Sequence, residues 1–203
     1  MSMEGRTWID IHQTQPDAVV LPADTNTYAI SHIRNITYTG KEFSDYTTEW
    51  LHGEYCAKDI VRVWFIENNY APLQSHIMIT FEFTNSRFLT VSVEVRKESL
   101  EDFEVWHVLY KTFHVFYILA TEYDIVYLRT NIRKSPIYRY ELNLTEAERE
   151  ALFTNICESI HTTYDNNPIY KVFRTDCVNT LLGNFLPTAG DPRRHLHNRP
   201  PWS

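Results

Sequence analysis

The stretch HIMITFEFTNSRFLTVSVEVR, residues 76–96, decides the fold that we expect for this chain. Hydrophobic and polar residues alternate in both of its halves, and the TNSR segment between them, residues 84–87, has the composition of a tight turn. Because successive side chains of a β-strand point to opposite faces, each half predicts a strand with one hydrophobic and one polar face. The stretch therefore predicts an antiparallel hairpin within a central sheet.

The polar face of the predicted hairpin carries the first candidate site residues. His76 begins one strand on that face, and Glu94 lies on the same face of the other strand. If Phe83 pairs with Arg87, His76 is directly opposite Glu94, at about 5 Å between Cβ atoms. A neutral imidazole can accept a proton, and a carboxylate can orient it. The pattern predicts a general base, and the alternative is an exposed ion pair without function.

Other charged and polar residues lie near this pair in the predicted sheet. Ser92 and Arg96 share the face of Glu94, so that either residue could hold Glu94 or bind a substrate carboxylate. Asp124 and Arg129 fall on one later segment, which we interpret as a strand, and they are expected to form a structural ion pair.

Cys177 is the candidate nucleophile. Asp176 can cap a helix that begins at Cys177, and the free N–H groups and dipole at a helix start favour a thiolate and can bind an oxyanion. The alternative is a buried structural thiol, as most free cysteines are. Cys56 and Cys157 complete an odd set without metal-ligand spacing. A disulfide framework is therefore not expected, and a reducing compartment is the default.

The remaining segments are expected to complete an α+β fold, in which helices pack on a central antiparallel sheet. Thr145 followed by Glu148 is a capping box, which predicts a helix start. The further predicted strands are residues 33–38, 59–67, 123–130 and 137–142, with a helix as the alternative for residues 59–67. The predicted helices are residues 98–122, 145–162 and 177–185.

Length and composition predict one folded domain. The chain has 203 residues, of which 43% are hydrophobic and 14% aromatic, enough to build a substantial core. Residues 1–30 are mostly polar and are expected to be irregular, with Trp8 and Ile9 as anchors. Residues 31–187 form the expected single α+β domain, and residues 188–203 a mobile tail.

Charge and hydropathy exclude several classes of partner. The formal net charge of −7 disfavours binding to nucleic acid. No apolar run is long enough to cross a bilayer, and residues 1–10 lack the pattern of a signal peptide. We expect a soluble cytoplasmic protein, with a periplasmic location possible if the sequence is trimmed. His195 and His197 have no acidic or cysteine partners nearby, so that neither a metal nor another cofactor is expected.

The chain contains an ordered set of motifs: Arg34-Asn35-Ile36, His76 with its F-x-F strand, Ser92 to Arg96, Glu122 to Asp124, Leu128-Arg129, Tyr138 to Tyr140 and Asp176-Cys177. This ordered set resembles the bacterial family known as the Lnb amino-terminal periplasmic domain. This family resembles the permuted papain-like, or NlpC/P60-like, group, in which the histidine strand precedes the cysteine helix. The family usually has Asn where Asp176 stands, and a carboxylate there would raise the pKa of the neighbouring thiol.

The resemblance implies a function for these residues. Cys177 would be the nucleophile, His76 the base and Glu94 its polar partner, while Asn35 would be a structural residue or line the site. Together with the residue-level reasoning, this predicts a cysteine-dependent hydrolase or acyltransferase that acts on an amide or ester bond. Its substrate would be a peptide, a lipid or a conjugate. The alternative is a non-catalytic module of the same fold whose tyrosine-rich surface binds a protein or a glycan.

Overall fold

One eight-stranded sheet organises the part of the chain that the computed structural model describes, residues 8–40, 45–71, 74–97, 113–169, 181, 183 and 184. A π-helical turn, Leu128–Ile132, directly follows the helix Glu122–Tyr127. The strands are β1 (Asp17–Leu21), β2 (Asp24–Tyr38), β3 (Tyr46–Cys56), β4 (Ile60–Ala71), β5 (Gln74–Phe83), β6 (Phe88–Arg96), β7 (His114–Ala120) and β8 (Ile137–Glu141), and the helices are α1 (Asp10–Gln13), α2 (Glu122–Tyr127) and α3 (Glu146–Asn166).

The sheet is mixed rather than purely antiparallel. Its strand order is β1-β2-β7-β6-β5-β4-β8, and β3 pairs with β2 outside this path. The pair β2–β7 is parallel, through Arg34 and Ala120, whereas the other described pairs are antiparallel. The α+β class is confirmed, but the expectation of an antiparallel sheet is wrong for this pair. Strand direction between distant segments is a tertiary property that local alternation of residues does not encode.

The central hairpin of β5 and β6 has the predicted register. The backbone N–H of Phe83 donates to the carbonyl of Arg87 at 2.9 Å, and Met78 pairs with Ser92 further along the ladder. The hydrophobic side chains of both strands, such as Phe81, enter the main core. Met78 and Ser92 on the opposite face are equally buried. The face that the sequence assigns to polar chemistry is thus also covered by protein.

Helix α3 covers the main-core face of the sheet. Thr145 is its N-cap and forms the predicted capping box with Glu148, so that this helix start is confirmed. The ring of Phe153 contacts the rings of Phe81 and Phe83 edge to face, with centroids 5.1 and 5.7 Å apart. Such contacts add to the free energy gained from burying large aromatic surfaces.

Helix α2 and its π-helical extension cover the other face. Ile125 of α2 packs with Ile66, Met78, Phe116 and Ile118 in a second, smaller cluster. The sheet is therefore a central layer with helices on both sides, as expected for a domain that buries both faces of its sheet.

The amino-terminal segment is more ordered than expected. Residues 17–21 and 24–30 belong to β1 and β2, and Ala18 pairs with Ile30. Ala18, Tyr28 and Ile30 are buried in the main core, although the polar residues around them suggest an exposed segment. The prediction of an irregular segment is wrong for residues 17–30, because these few hydrophobic residues are enough to hold two strands on the sheet.

For two neighbouring segments, the predicted type of secondary structure is wrong. Residues 114–120 form strand β7, where a helix over residues 98–122 is expected, and residues 122–127 form helix α2, where a strand is expected. The β7 sequence HVFYILA is almost entirely buried, and a short apolar run of this kind does not separate strand from helix by periodicity. Thr121 caps α2 by accepting a hydrogen bond from the backbone N–H of Asp124.

Several predictions fall wholly or partly outside the described residues. Residues 98–112, the tail from residue 188 and Cys177 lie there. Leu181, Gly183 and Asn184 are helical, in agreement with a final helix over residues 177–185.

Candidate functional site

His76, Ser92 and Glu94 form a hydrogen-bonded cluster on the α2 side of the sheet. The Nε2 atom of His76 lies 2.7 Å from the Oγ atom of Ser92, which lies 3.4 Å from the Oε1 atom of Glu94. The direct distance between His76 Nε2 and Glu94 Oε1 is 3.8 Å. The structure thus brings the predicted base and its carboxylate together, with the hydroxyl of Ser92 between them.

The hydrogen-bonding capacity of these groups fixes the tautomer of His76. An ionised carboxylate only accepts hydrogen bonds, so that the single proton of the Ser92 hydroxyl points to Glu94. Ser92 Oγ then accepts from Nε2–H of His76, and the lone pair of the imidazole lies on Nδ1. Nδ1 has no hydrogen-bond partner among the described residues. As a base, His76 would therefore act through Nδ1.

Arg129 is a fourth member of the cluster, although its position in the sequence predicts a pair with Asp124. Its Nη2 atom lies 3.4 Å from Glu94 Oε1, and its Nη1–H donates to the carbonyl of Ile125 at 3.0 Å. The side chain is buried, and within the described residues its Nε has no hydrogen-bond partner. The carboxylate of Glu94 is consequently held between a hydroxyl and a guanidinium group.

Burial and neighbouring charges set the ionisation of the cluster. The pKa of His76 is lowered from 6.5 to about 4, mainly by burial and also by the charges of Arg129 and Arg133, whereas the charge of Glu94 opposes this change. Burial alone would raise the pKa of Glu94, but the charge of His76 while it is protonated and the permanent charge of Arg129 hold that pKa well below its usual range. At neutral pH the cluster therefore contains a neutral imidazole and an ionised carboxylate.

Asp124 pairs with Arg34 rather than with Arg129. Its two carboxylate oxygens accept from Nε and Nη2 of Arg34 at 2.8 and 3.1 Å, and the backbone N–H of Ile36 donates to the same carboxylate at 3.1 Å. Both side chains are buried. This ion pair fastens the first turn of α2 to strand β2, and the helix then carries Arg129 to Glu94.

Asn35 supports the same junction. Its side-chain oxygen accepts from the hydroxyl of Thr121 at 2.9 Å, and its side-chain amide donates to Glu49 at 3.0 Å. Asn35 therefore connects strands β2 and β3 with the N-cap of α2. These contacts agree with the structural role that the resemblance allows for this residue.

Arg96 lies outside the cluster, although it shares the polar face of β6. Its guanidinium donates to the carbonyls of His12 and Gln13 and to the side-chain oxygen of Gln15, at 3.0–3.1 Å, and lies 4.4 Å from the ring centroid of Trp8. Arg96 thus anchors the amino-terminal segment through the expected anchor Trp8. To bind a substrate carboxylate, it would have to give up these bonds.

Two of the three cysteines are described, and both are free thiols. Cys157 is buried in α3, and burial raises its pKa well above the usual value. Cys56 is half-buried at the end of β3. Since thiolates rather than thiols react with electrophiles, Cys157 is expected to be unreactive.

The fold and the cluster define an α+β domain with a mixed sheet and a partly buried histidine–serine–glutamate–arginine group on one face. Residues 46–202 match the model of the family described as the Lnb N-terminal periplasmic domain, and the chain belongs to this family. Nothing among the curated proteins or the solved structures matches the chain.

The family description refers to a periplasmic domain. This agrees with the periplasmic alternative of the sequence analysis and gives no support to a cytoplasmic location. Among the described residues, no helix combines the length and the apolar character that a membrane span requires.

Proposed function

We propose that this protein is a thiol-dependent hydrolase or acyltransferase of the permuted papain-like type, which acts on an amide or ester bond. The observation that carries the proposal is the hydrogen-bonded series of His76, Ser92 and Glu94, which leaves the Nδ1 lone pair of a neutral imidazole available. A neutral, oriented imidazole is the group that a thiol nucleophile needs as its base.

In the proposed reaction, Nδ1 of His76 takes the proton of the Cys177 thiol, and the thiolate attacks the carbonyl carbon of the substrate. The backbone N–H of Cys177 stabilises the oxyanion that forms. The imidazolium then returns its proton to the leaving amine or alcohol, and a thioester remains on Cys177. In the second half, His76 deprotonates water, or an acceptor amine or alcohol, which attacks the thioester and releases the thiol.

The position of the final helix restricts where base and thiol would meet. Leu181 is buried in the main core with Ile77, whereas His76, the preceding residue of β5, points to the α2 side of the sheet. His76 lies near the first residue of β5. Cys177 and His76 would therefore meet around this end of the sheet rather than across it. Asp176 would raise the pKa of the thiol and make His76 more important as its base.

Ser92 and Arg129 are positioning residues in this mechanism. Ser92 fixes the His76 tautomer, and Glu94 stabilises the imidazolium that forms during the reaction. Arg129 keeps Glu94 ionised and in place, but its own positive charge opposes protonation of His76. We therefore propose that Ser92 orients the base, His76, and does not bind the substrate. The substrate class remains a peptide, a lipid or a conjugate.

Alkylation by iodoacetamide tests the proposal without a known substrate. At neutral pH, Cys177 should react at least tenfold faster than Cys56, as followed by peptide mass spectrometry, and the His76→Ala variant should lose this advantage. His161→Ala is the matched control, because His161 is an exposed residue of α3 and contacts Asp17 instead of the cluster. Equal rates at Cys177 and Cys56, or an unchanged rate in the His76→Ala variant, would contradict the proposal.

A surface of stacked tyrosine rings favours glycan binding as a second candidate function. Tyr123 is 54% exposed and stacks on Tyr127, with centroids 5.3 Å apart and an interplanar angle of 27°. Tyr127 in turn stacks on Tyr38, with centroids 6.0 Å apart. Tyrosine rings combine an apolar body with a polar tip, which suits them to binding surfaces.

An NMR titration with chito-oligosaccharides separates this second function from the first. If the tyrosine surface binds glycans, Tyr123→Ala should abolish the chemical shift changes at Tyr127, whereas Cys177→Ala should leave them unchanged. Shift changes that persist in the Tyr123→Ala variant would exclude this surface as the binding site.

A further inference from the structure

Strand β2 contains a bulge that places two residues opposite one residue of β3. Ile30 pairs with Gly53 and Ile33 with Leu51, so that Ser31 and His32 together face His52. His32 has a φ angle of 59°, in the left-handed region that costs a residue with a bulky side chain of order 1 kcal/mol or more. Bulges of this kind redirect a side chain, and they are enriched next to functional sites.

A hydrogen bond to a backbone carbonyl defines the tautomer of His32. The Nδ1 atom of its ring lies 3.1 Å from the carbonyl oxygen of Gln15. A carbonyl oxygen can only accept, so that Nδ1 carries the proton and Nε2 carries the lone pair. Arg96 holds Gln15 in place by a 3.0 Å hydrogen bond to its side-chain oxygen. Histidines that bind metals typically have this second contact, because it fixes the ring and makes the other nitrogen a ligand.

His52 presents a second imidazole beside the first. The ring centroids of His32 and His52 are 5.2 Å apart, with an interplanar angle of 70°. With metal–nitrogen bonds of about 2.0–2.1 Å, two imidazoles at adjacent positions of one tetrahedral or tetragonal ion have centroids roughly 4.5–5 Å apart. His52 is exposed at the strand surface. The described residues contain no group of three or more His, Cys, Asp or Glu side chains that could hold a metal, so that water would complete the coordination.

We propose that His32 and His52 form a binding site for a divalent first-row transition metal ion, with Nε2 of His32 as one ligand. The strained bulge, the carbonyl-bound Nδ1 and the spacing of the rings each point to this use. Two imidazole ligands favour Cu²⁺ over Zn²⁺, following the general order of stability for these ions. The site lies apart from the His76 cluster and does not depend on the proposed hydrolase activity.

Titration with Cu²⁺, followed by isothermal titration calorimetry, tests the site. The parent protein should carry no affinity tag and should contain His195→Ala and His197→Ala, because the RRHLH segment could bind the same ion. The parent should bind one equivalent of Cu²⁺, and Zn²⁺ more weakly. Both His52→Ala and His32→Asn should weaken Cu²⁺ binding at least tenfold. Asparagine is chosen because it tolerates a positive φ angle but lacks the imidazole.

The fluorescence of Trp50 can show whether Cu²⁺ binds at this site. Its ring centroid lies 6.5 Å from that of His32, so that bound Cu²⁺ should quench its fluorescence. Trp50→Phe should remove most of the quenching while calorimetry shows unchanged affinity.

Matched controls decide the outcome. His161→Ala should bind Cu²⁺ like the parent, and circular dichroism should show that each variant is folded. If His32→Asn fails to fold, His52→Ala carries the test, because His52 is exposed. The absence of Cu²⁺ binding in the parent, or binding by His52→Ala within twofold of the parent, would overturn the proposal.

Discussion

The face of the sheet that α3 covers and the face that α2 covers are both buried, but they bury different chemistry. The α3 face buries the larger of the hydrophobic clusters, with Phe153 in it. The α2 face contains the Arg34–Asp124 ion pair, the His76 cluster and a 2.8 Å hydrogen bond between the hydroxyls of Thr80 and Thr90.

This difference indicates that the α3 face mainly stabilises the fold, whereas the α2 face mainly serves the proposed function. Burial of apolar surface contributes roughly 25 cal/mol per Å² and accounts for the α3 face. Buried ion pairs give little net stability, because the desolvation of both charges offsets their attraction. The charged groups of the α2 face therefore need another explanation, and orientation of His76 provides one. Four substitutions or conditions test the comparison, in order of decreasing effect.

Loss of an aromatic ring from the α3 face should have the largest effect on stability. Phe153→Ala should lower the free energy of unfolding by about 4 kcal/mol, because it removes a buried ring and leaves a cavity. Denaturant unfolding measures this value. Tyr164→Ala, at an exposed position of the same helix, should change it by less than about 0.5 kcal/mol. A small effect of Phe153→Ala would show that the α3 face is not the main source of stability.

Breaking the ion pair of the α2 face should lower the free energy of unfolding by nearly as much as Phe153→Ala does. Asp124→Ala leaves the guanidinium of Arg34 buried without its carboxylate and should lower the free energy of unfolding by about 3 kcal/mol. The double variant Asp124→Ala with Arg34→Met should recover most of this loss, because the guanidinium left without its carboxylate is then also removed. If the double variant is no more stable than Asp124→Ala, the pair itself stabilises the fold and the contrast between the faces fails.

Acidification should destabilise the protein through the histidines of the α2 face. The pKa values of His76 and His12 are lowered, to about 4 and about 3, so that the unfolded chain binds protons below pH 6.5 while the folded chain does not. Stability should be complete above pH 6.5 and fall towards pH 4, by roughly 2–3 kcal/mol for His76. His76→Gln should flatten this dependence in thermal melts, whereas Phe153→Ala should not. Equal slopes for the His76→Gln variant and the parent would show that His76 titrates normally.

The N-cap of α3 should make the smallest of these contributions to the free energy of unfolding. Thr145→Ala removes the acceptor for the backbone N–H of Glu148 and should lower the free energy of unfolding by about 1 kcal/mol. Thr130→Ala is a suitable control, because the hydroxyl of Thr130 donates to the carbonyl of Val126 in α2 and caps no helix start. An effect above about 2 kcal/mol would indicate that α3 depends on its cap as much as on its packing.

Features with local causes could be predicted from the sequence. The register of β5 and β6 follows from a short turn between two alternating strands, and the start of α3 follows from Thr145 and Glu148, three residues apart. The approach of His76 to Glu94 depends only on that register. These parts of the fold and site need no information beyond about twenty neighbouring residues.

Features that depend on distant partners could not be predicted. Alternation showed which residues of β6 share a face, but not that α2 would cover that face. Arg34 and Asp124 are 90 residues apart, so that no local pattern favours this pair over Arg129 and Asp124. The apolar run of β7 fits a buried strand and a buried helix equally well, and only its position between β2 and β6 makes it a strand.

The distance between the Cys177 sulfur and His76 Nδ1, measured in a crystal structure of the whole chain, tests the central claim most directly. A separation of about 3.5–4 Å at the end of the sheet, near the start of β5, is the result that the proposed chemistry predicts. A thiol held on the α3 side with the sheet between it and the imidazole would contradict it.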